Sequence, residues 1–389
     1  MSRLVDLVDE LCPDGVEVKR IEQFAKCYAG ATPSTSKPEY WDGGIIPWMS
    51  SGEVNYGEVT YTEKAITKLG FDKSSTKMVP INSVVIALAG QGKTRGTVAI
   101  TRIELCTNQS LCAIVPDDSV ISEYLLWYLR SQYEKLREIS AGDGTRGGLT
   151  LKMINAFEVP VPPLKIQQKI VSICETFNSL ICNLELELEL RYKQYNELAY
   201  RLLIDNNEAE KIKLKDICNI VKGKTAIQKA TPGEYPLVVT ATERKSCDTF
   251  QFNEPAVCIP LVSSRGHGVA CLNHVYYQEG KFAVGNILCA VTPREKVLAK
   301  YLYYYFECTK DYTLVPLMKG GANVSMTIGD IEKVNVPIPE LDEQRQIISK
   351  LEILDEYCNS ILPAEIAARK QQFAYYRDVI LDFKNLHRR

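Results

Sequence analysis

The chain repeats one short segment, and this repeat limits the folds that it can adopt. VPVPPLKIQQKI (residues 159–170) returns as VPIPELDEQRQI (residues 336–347), at an offset of 177 residues from Val159 to Val336. The same offset aligns EYLLWYL with KYLYYYF and LCAIVP with LCAVTP. A period this long indicates a duplicated domain rather than a solenoid repeat. At 389 residues, the chain is long enough for two domains that each have a core.

Both copies show the same order of local patterns. Short apolar runs bounded by turn residues, such as INSVVIALAG and EPAVCIPLV, predict strands. One segment in each copy has helical spacing instead: VISEYLLWYLRSQYEKL in the first and VLAKYLYYYFECTKDY in the second. Next comes V-P-V/I-P, whose two prolines exclude a helix and favour an extended strand end.

A long helix is predicted after the prolines of the first copy. From Leu164 to Leu202 the apolar residues recur mostly in steps of three and four. This spacing predicts a coiled-coil-like helix of about 40 residues, or roughly 60 Å. LELELEL (residues 184–190) alternates like a strand, but Leu and Glu are both strong helix formers and the flanks keep the helical period. We therefore predict that it is helical.

The second copy ends with a similar helical pattern that contains one proline. Pro363 is expected to kink the helix or to begin a new helical segment. Beyond it the two copies correspond with a shift of one residue, since Glu187 and Arg191 match Glu365 and Arg369.

These patterns predict an α+β fold. We expect two repeated mixed α/β domains, separated by two long antiparallel coiled-coil helices with pseudo-twofold symmetry. The predicted boundaries are 1–163 for the first domain with a short N-terminal helix, 164–207 for the first helix, 211–339 for the second domain and 340–389 for the second helix. The N-terminal helix, MSRLVDLVDEL, is expected to pack on the C-terminal helix.

The sequence contains no convincing catalytic motif. ALAGQGKT (residues 87–94) is a relaxed version of a phosphate-binding loop, but the following RGTVAI predicts a strand where such a loop needs a helix. PDGVEVK has the letters of a nuclease motif, with too few residues between Asp14 and Glu17 for two strands to converge on a metal. The methyltransferase pattern N-P-P-aromatic does not occur. A nucleotide-hydrolysing protein remains an alternative that a nucleotide-binding assay with Lys93→Ala would test.

Composition restricts the cellular setting. The 13 cysteines form no C-x-x-C pair and the three histidines are not at ligand spacing, so we expect reduced thiols and no metal site. No apolar run reaches the roughly 18 residues of a membrane span. The N-terminal segment carries acidic residues and has no long apolar core, which argues against a signal peptide. A cytoplasmic protein is predicted.

The repeated motifs resemble one family, the specificity subunits of Type I restriction–modification systems. The resemblance rests on LCPDGVE, the two Pro-Leu-x-x-Gln-x-x-Ile segments and LPAEIAARKQQFAYYRDVILDF (residues 362–383), and it extends over nearly the whole chain. It implies a non-catalytic subunit whose two domains each recognise one half of a split double-stranded DNA site. The long helices would set the gap and associate with two modification subunits, which bind S-adenosylmethionine and methylate adenine. ATP-driven restriction subunits with nuclease activity would join that core. No cofactor is expected on this chain.

Candidate contact residues follow from this resemblance. The second domain (211–339) has 16 basic and 11 acidic residues, whereas residues 1–163 have 17 basic and 20 acidic residues. DNA binding needs a local basic surface and not a positive net charge of the whole domain, so the acidic balance of residues 1–163 does not exclude it. The loop residues predicted to bind DNA are Lys93, Thr94, Arg95, Arg146, Arg265, His267, Lys319 and Asn323. The helix residues predicted to bind partner subunits are Leu180, Leu184, Leu188, Arg191, Tyr195, Leu354, Ile361, Arg369, Phe373 and Tyr376. The alternative function is a coiled-coil adaptor that joins two protein-binding domains.

Overall fold

A computed structural model describes residues 2–90, 94–140, 147–205, 209–265 and 268–383 of the chain. The chain divides into two compact units: Met1–Asn183 with Ala367–Arg389 form unit 1, and Leu184–Ile366 form unit 2. Each unit thus contains most of one domain repeat and parts of both predicted long helices.

Unit 1 is built from three sheets and several short helices. Its strands are β1 (Val18–Arg20), β2 (Ala25–Ala29), β3 (Ile46–Met49), β4 (Glu58–Val59), β5 (Lys64–Ile66), β6 (Met78–Val79), β7 (Val84–Ala87), β8 (Val98–Thr101), β9 (Leu105–Thr107), β10 (Leu111–Pro116) and β11 (Glu158–Pro160). Its helices include α1 (Ser2–Leu11), α2 (Lys68–Asp72), α3 (Ser122–Ser131), α4 (Tyr133–Ser140) and α5 (Leu151–Asn155). The single helix predicted near residue 130 is therefore divided into α3 and α4 at Gln132.

Unit 2 has corresponding elements. The strands are β12 (Glu210–Lys213), β13 (Cys218–Lys222), β14 (Tyr235–Val238), β15 (Lys245–Cys247), β16 (Ala256–Pro260), β17 (Tyr276–Gln278), β18 (Ala283–Val284), β19 (Leu288–Pro293) and β20 (Asn335–Ile338). The long helix α6 (Leu164–Leu203) runs from unit 1 into unit 2. The later helices are α7 (Leu214–Ile217), α8 (Ala299–Thr313), α9 (Ile328–Ile331), α10 (Leu341–Glu356) and α11 (Leu362–Leu381), with a π-helix, Tyr357–Ile361, between the last two.

The first four strands of the main sheet follow the same order in both units, and unit 1 has one more edge strand, β4. The main sheet of unit 1 runs β2-β10-β7-β8-β4, and that of unit 2 runs β13-β19-β16-β17. A second sheet contains one parallel pair in each unit, β3 with β9 and β14 with β18. The strand before each Pro-rich junction pairs antiparallel with the first strand of its unit, β11 with β1 and β20 with β12. The sequence repeat therefore corresponds to a repeated sheet topology.

Each core includes residues of the long helices. In unit 1, Ile166, Ile170 and Cys174 of α6 are buried in one apolar cluster with the α3 side chains. The same cluster contains Leu4 of α1 and Ile380 of α11, so both terminal helices contribute to one core, while direct packing of one on the other stays a prediction. In unit 2, the core includes the end of α6, at Ala199 and Leu203, and the start of α10, at Ile347 and Leu351.

The long helices differ in regularity. Helix α6 is continuous over 40 residues, including LELELEL, as the propensities of Leu and Glu predict. The second long segment is interrupted by the π-helix, and α11 follows it directly at Leu362, so Pro363 lies just after the irregular turn. Cys358 matches Ile181 at an offset of 177, whereas Arg369 matches Arg191 at 178. The π-turn accommodates this one inserted residue, because it widens the helix by one residue locally.

The predicted fold class, a mixed α/β protein with a long helix between two domains, is confirmed by this architecture. None of the helices in the described ranges has the length and apolarity needed to cross a membrane.

Candidate DNA interface and helix surface

A pair of adjacent loops lies at one end of the main sheet in unit 1. The first loop connects β7 to β8, and the second, residues 147–149, leads into α5. Leu149 donates its N–H to the carbonyl of Leu88 at 2.8 Å, which joins the two loops. Arg95 donates from Nη1 to the carbonyl of Gly147. Gly90 and Gly96 have φ angles of 136° and 84°. Residues other than glycine rarely adopt positive φ angles, so the first loop depends on glycine at these two positions.

Unit 2 contains the same pair of loops. The first connects β16 to β17, and the second leads into α9. Met326 donates its N–H to the carbonyl of Leu261 at 2.9 Å, and Leu261, like Leu88, is the first residue after its strand. Ser263 adds a second link, since its N–H bonds the carbonyl of Val324 at 2.9 Å. A Cβ on Gly268 would lie 2.9 Å from the carbonyl of Gly321. The two loops are therefore so close at this point that a residue larger than glycine would require one of them to shift.

Side-chain hydrogen bonds hold both loops in place. The hydroxyl of Ser263 accepts from the N–H groups of Arg265 and Cys271, each at 3.2 Å. The helices after the second loops are capped alike. Thr150 accepts from Met153 and Thr327 accepts from Asp330, both at 3.2 Å, in the manner of an N-cap.

The predicted DNA-binding residues fall on these loops. Lys93, Arg146 and His267 lie outside the described residues. Thr94 and Arg95 are half-buried in unit 1, and in unit 2 the loop pair brings Arg265, Lys319 and Asn323, all exposed, onto adjacent loops. Contact with DNA stays a prediction for every one of these residues.

Arg95 also links the two loops of unit 1, a structural role that the sequence did not reveal. Its Nη1 bonds Gly147, and its Nε is buried without a hydrogen-bond partner among the residues that the structure describes. Arg265 differs, because its guanidinium is exposed and makes no hydrogen bond within the described ranges. Arg95 and Arg265 each precede a glycine in the sequence, but the two arginine side chains are not equivalent in their packing.

The phosphate-binding interpretation of ALAGQGKT does not fit the fold. This segment joins β7 to β8, which pair antiparallel in one sheet. A phosphate-binding loop needs a helix N-terminus after it, and β8 occupies that place. Among the residues described, no group of three His, Cys, Asp or Glu side chains is placed to hold a metal ion.

Several predicted partner-binding residues pack inside unit 1. The ring of Phe373 lies 5.4 Å from that of Trp127 and 5.7 Å from that of Phe177. Tyr376 packs 5.8 Å from the same Phe177 ring. These aromatic side chains join α11 to the start of α6 and to α3. Leu180 remains 41% exposed.

The helix residues predicted in unit 2 are mostly half-buried. This group includes Leu184, Leu188, Arg191, Tyr195 and Leu354. Arg191 pairs with Glu187 at 3.4 Å, and Tyr192 donates its hydroxyl to Asn359 at 2.6 Å. Ile361 is 51% exposed, and Arg369, in unit 1, bonds Gln372 at 2.7 Å.

The exposed apolar residues of the helices were largely missed. Leu186 and Leu190 are each 54% exposed, Ile353 is 66% exposed and Tyr375 is 56% exposed. Leu186 and Leu190 lie four apart, so they occupy one face of α6. The signal was present in LELELEL, where alternate leucines cannot all face one neighbour in a helix.

A groove beside the first part of each long helix recurs at matching positions. In unit 1 it is lined by Ser172, Glu175 and Ser179, and in unit 2 by Ser349, Glu352 and Glu356. These residues correspond at the offset of 177. The groove of unit 2 also contains four tyrosines, at 276, 277, 303 and 304.

A family model matches the chain twice. The model describes the Type I restriction modification DNA specificity domain, and it matches residues 13–190 and 206–368. The two matches cover most of the chain and coincide with the duplicated sheets. The chain belongs to this family. The family resemblance inferred from the repeated motifs is thereby confirmed, as is the assignment to Type I restriction–modification.

Individual relatives match parts of the chain. A Type I restriction enzyme specificity subunit of Escherichia coli is 33% identical over 187 residues, which is 46% of each protein. A specificity subunit of Methanocaldococcus jannaschii is 34% identical over 200 residues, 50% of this chain and 45% of the relative. The chain thus matches about half the length of these curated relatives. A Type I restriction–modification S subunit from M. genitalium shares the fold, with a TM-score of 0.54 at 15% identity over 94% of this chain and 96% of that chain.

Proposed function

We propose that this chain is the sequence-specific DNA-binding subunit of a Type I restriction–modification complex and that it recognises a bipartite site. The observation that carries this proposal is the occurrence, in each unit, of the same loop pair at the same end of the same sheet. Two similar surfaces with different side chains suit two different half-sites. Residues 1–163 and 211–339 would be the two recognition domains.

The loop pairs have the chemistry that DNA recognition requires. Guanidinium and ammonium groups bind phosphates, and an Arg can bind a guanine edge with two hydrogen bonds. The side chains of Arg265, Lys319 and Asn323 are exposed on adjacent loops, and the domain that carries them has a net charge of +5. The rest of the phosphate contacts would come from partner subunits, since the whole chain is nearly neutral.

The helices would join the two domains and hold the partners. Each unit includes the beginning of one long helix and the end of the other, which supports an antiparallel, pseudo-twofold pair formed by residues 164–207 and 340–389. Two modification subunits would bind the exposed apolar residues of these helices and the recurring groove, one beside each recognition domain. Restriction subunits would join this core. Catalysis and its cofactors would belong to the partners, in the cytoplasm.

Methylation mapping tests this proposal. A host that carries this chain with its modification subunit should methylate adenines in a two-part sequence with a fixed gap. Exchanging residues 211–339 for the corresponding part of a relative should change one half of that sequence and leave the other half unchanged. If both halves changed together, or if the purified chain alone transferred methyl groups, the proposal would be wrong. A protein that associates with partners but confers no sequence preference would instead be an adaptor.

A further inference from the structure

A glutamine near the start of each long helix is fully buried and uses all of its hydrogen-bonding groups. In unit 1, the carbonyl oxygen of Gln167 accepts from the N–H of Ile121 at 2.8 Å. Its amide donates to the carbonyls of Ser119 and Pro162, at 2.9 and 2.8 Å. Ile121 is the N-cap residue of α3 and has no side-chain cap of its own. Gln167 therefore joins the recognition domain to the long helix.

Unit 2 has the same arrangement. The carbonyl oxygen of Gln344 accepts from the N–H of Leu298 at 2.9 Å, and its amide donates to Lys296 and Pro339 at 3.0 and 2.8 Å. Leu298 is the N-cap residue of α8. Both glutamines are 0% exposed. We call each set of three hydrogen bonds, made by Gln167 or Gln344, a glutamine bridge.

A tyrosine makes the reciprocal link in each unit. Tyr124 of α3 donates its hydroxyl to the carbonyl of Pro160 at 2.7 Å, and Tyr301 of α8 donates to Pro337 at 2.9 Å. Burial raises the pKa of both phenols well above the usual range, so both remain protonated donors. The helix of the domain bonds the strand before the Pro-rich junction, while the long helix bonds the N-terminus of the domain's helix.

These bonds do more than satisfy buried groups. The Pro-rich junction itself, residues 160–163 in unit 1, would let the domain rotate about its connection if only the chain held it. Hydrogen bonds across the junction prevent this rotation. They join residues that are 46 to 48 positions apart in sequence. A long helix can fix the distance between two half-sites only if each domain is rigidly attached to it.

We infer that Gln167 and Gln344, with Tyr124 and Tyr301, are positioning residues that determine how strictly the protein selects the gap between half-sites. This inference rests on the proposed function. None of the four side chains needs to touch DNA for this role. Their effect is on the tolerance of the gap and not on the bases recognised in either half.

The test measures methylation of DNA duplexes whose half-sites are separated by the native gap or by one base pair more or fewer. The complex of the full chain with its modification subunit is used. Gln344→Leu should reduce the preference for the native gap about tenfold, because it leaves two carbonyls and one N–H of the junction without a partner. Tyr301→Phe removes one hydrogen bond and should reduce this preference less, about threefold. The bases recognised should stay the same in both variants.

Thr309→Val is the matched control. Thr309 is buried in the same helix as Tyr301 and donates its hydroxyl to the carbonyl of Tyr305 at 2.7 Å, away from the junction. It should cost stability without widening the accepted gap. If the preference for the native gap is unchanged in folded Gln344→Leu, or falls equally in Thr309→Val, the inference is overturned.

If Gln344→Leu does not fold, the test rests on Tyr301→Phe. If Tyr301→Phe then prefers the native gap as strongly as the unmodified chain does, the inference is overturned. An unmodified complex that methylates without any dependence on the gap would overturn the proposed function and this inference with it. That result differs from a failure of the positioning role, in which the unmodified complex selects its gap normally.

Discussion

The two units share their framework and differ in the surfaces that this framework presents. Strand order, loop pairing, helix caps and glutamine bridges recur in both. The loops themselves differ: Arg95 is partly buried and bonds Gly147, whereas Arg265 is exposed. The recurring bonds of the loop pairs are made largely by the backbone, as between Leu149 and Leu88 or between Met326 and Leu261.

This difference shows how one fold can present different binding surfaces. A backbone hydrogen bond places few demands on the side chain, so the loop sequence can change while the loop pair persists. The glutamine bridge does place a demand, because a buried junction with three unpaired groups would be costly. The same residue therefore recurs at the junction in both copies, while most of the loop residues differ.

The largest effect is expected from breaking the framework of the long helices. Inserting two residues within 184–190 would rotate the apolar stripe of α6 by about 200° and should abolish assembly with the modification subunit. Inserting four residues rotates the downstream part of the helix by only about 40° and lengthens the helix by about 6 Å. The gap should then grow by roughly one or two base pairs, at about 3.4 Å each. Methylation mapping checks this: full activity with an unchanged gap would show that the helix does not set the spacing.

A smaller effect is expected from the loops, where the two arginines should behave differently. Arg265→Ala should weaken binding to one half-site about tenfold and leave the thermal stability unchanged, because the side chain is exposed. Arg95→Ala should also lower stability by about 1 kcal/mol, since it removes the bond to Gly147.

Arg265→Lys provides the control for this comparison. It keeps the charge, so near-normal affinity would indicate a phosphate contact, and a loss equal to that of Arg265→Ala would indicate two hydrogen bonds to guanine. Fluorescence anisotropy with the cognate duplex measures affinity. Equal affinity of the unmodified chain and both variants would show that Arg265 does not contact the DNA.

The smallest effect concerns Asp355, an acidic residue that lines the groove of unit 2. Asp355 corresponds to Asn178 at the offset of 177. Burial raises the pKa of Asp355, and the charges of Glu307 and Glu352 add to this. Since the folded pKa lies above the unfolded one, stability is highest when the carboxyl is protonated and falls as the pH rises through the folded pKa. Asp355→Asn should therefore stabilise the chain by roughly a few tenths of a kcal/mol at pH 7.

The advantage of Asp355→Asn should disappear below about pH 3, where the carboxyl is largely protonated in both the folded and the unfolded state. The hydrogen bond from Asn359, at 2.8 Å, can be kept by the new amide oxygen. Urea unfolding at several pH values measures the difference. A variant that is less stable at neutral pH would mean that the carboxylate is needed by unit 2.

The sequence was sufficient to predict the duplication, the Pro-rich strand ends and the long helix. These features depend on residues close together in the chain: prolines fix the backbone, and apolar residues at steps of three and four define one face of a helix. The one-residue shift between the copies was also visible, although its structural form, the π-helix at Tyr357–Ile361, was not. The family followed from the same local motifs.

The sequence did not show which of these residues face a neighbour in the folded chain. Gln167 lies in a repeated motif, yet its partners Ser119 and Ile121 are 48 and 46 residues away in sequence. Phe373 looks like a partner-binding residue in the helix pattern, but it packs on Trp127 and Phe177, while Leu186 and Leu190 remain exposed. Helical periodicity shows which residues share one face of a helix, but it does not show which part of the protein packs against that face. That choice depends on packing between distant parts of the chain, which no local pattern contains.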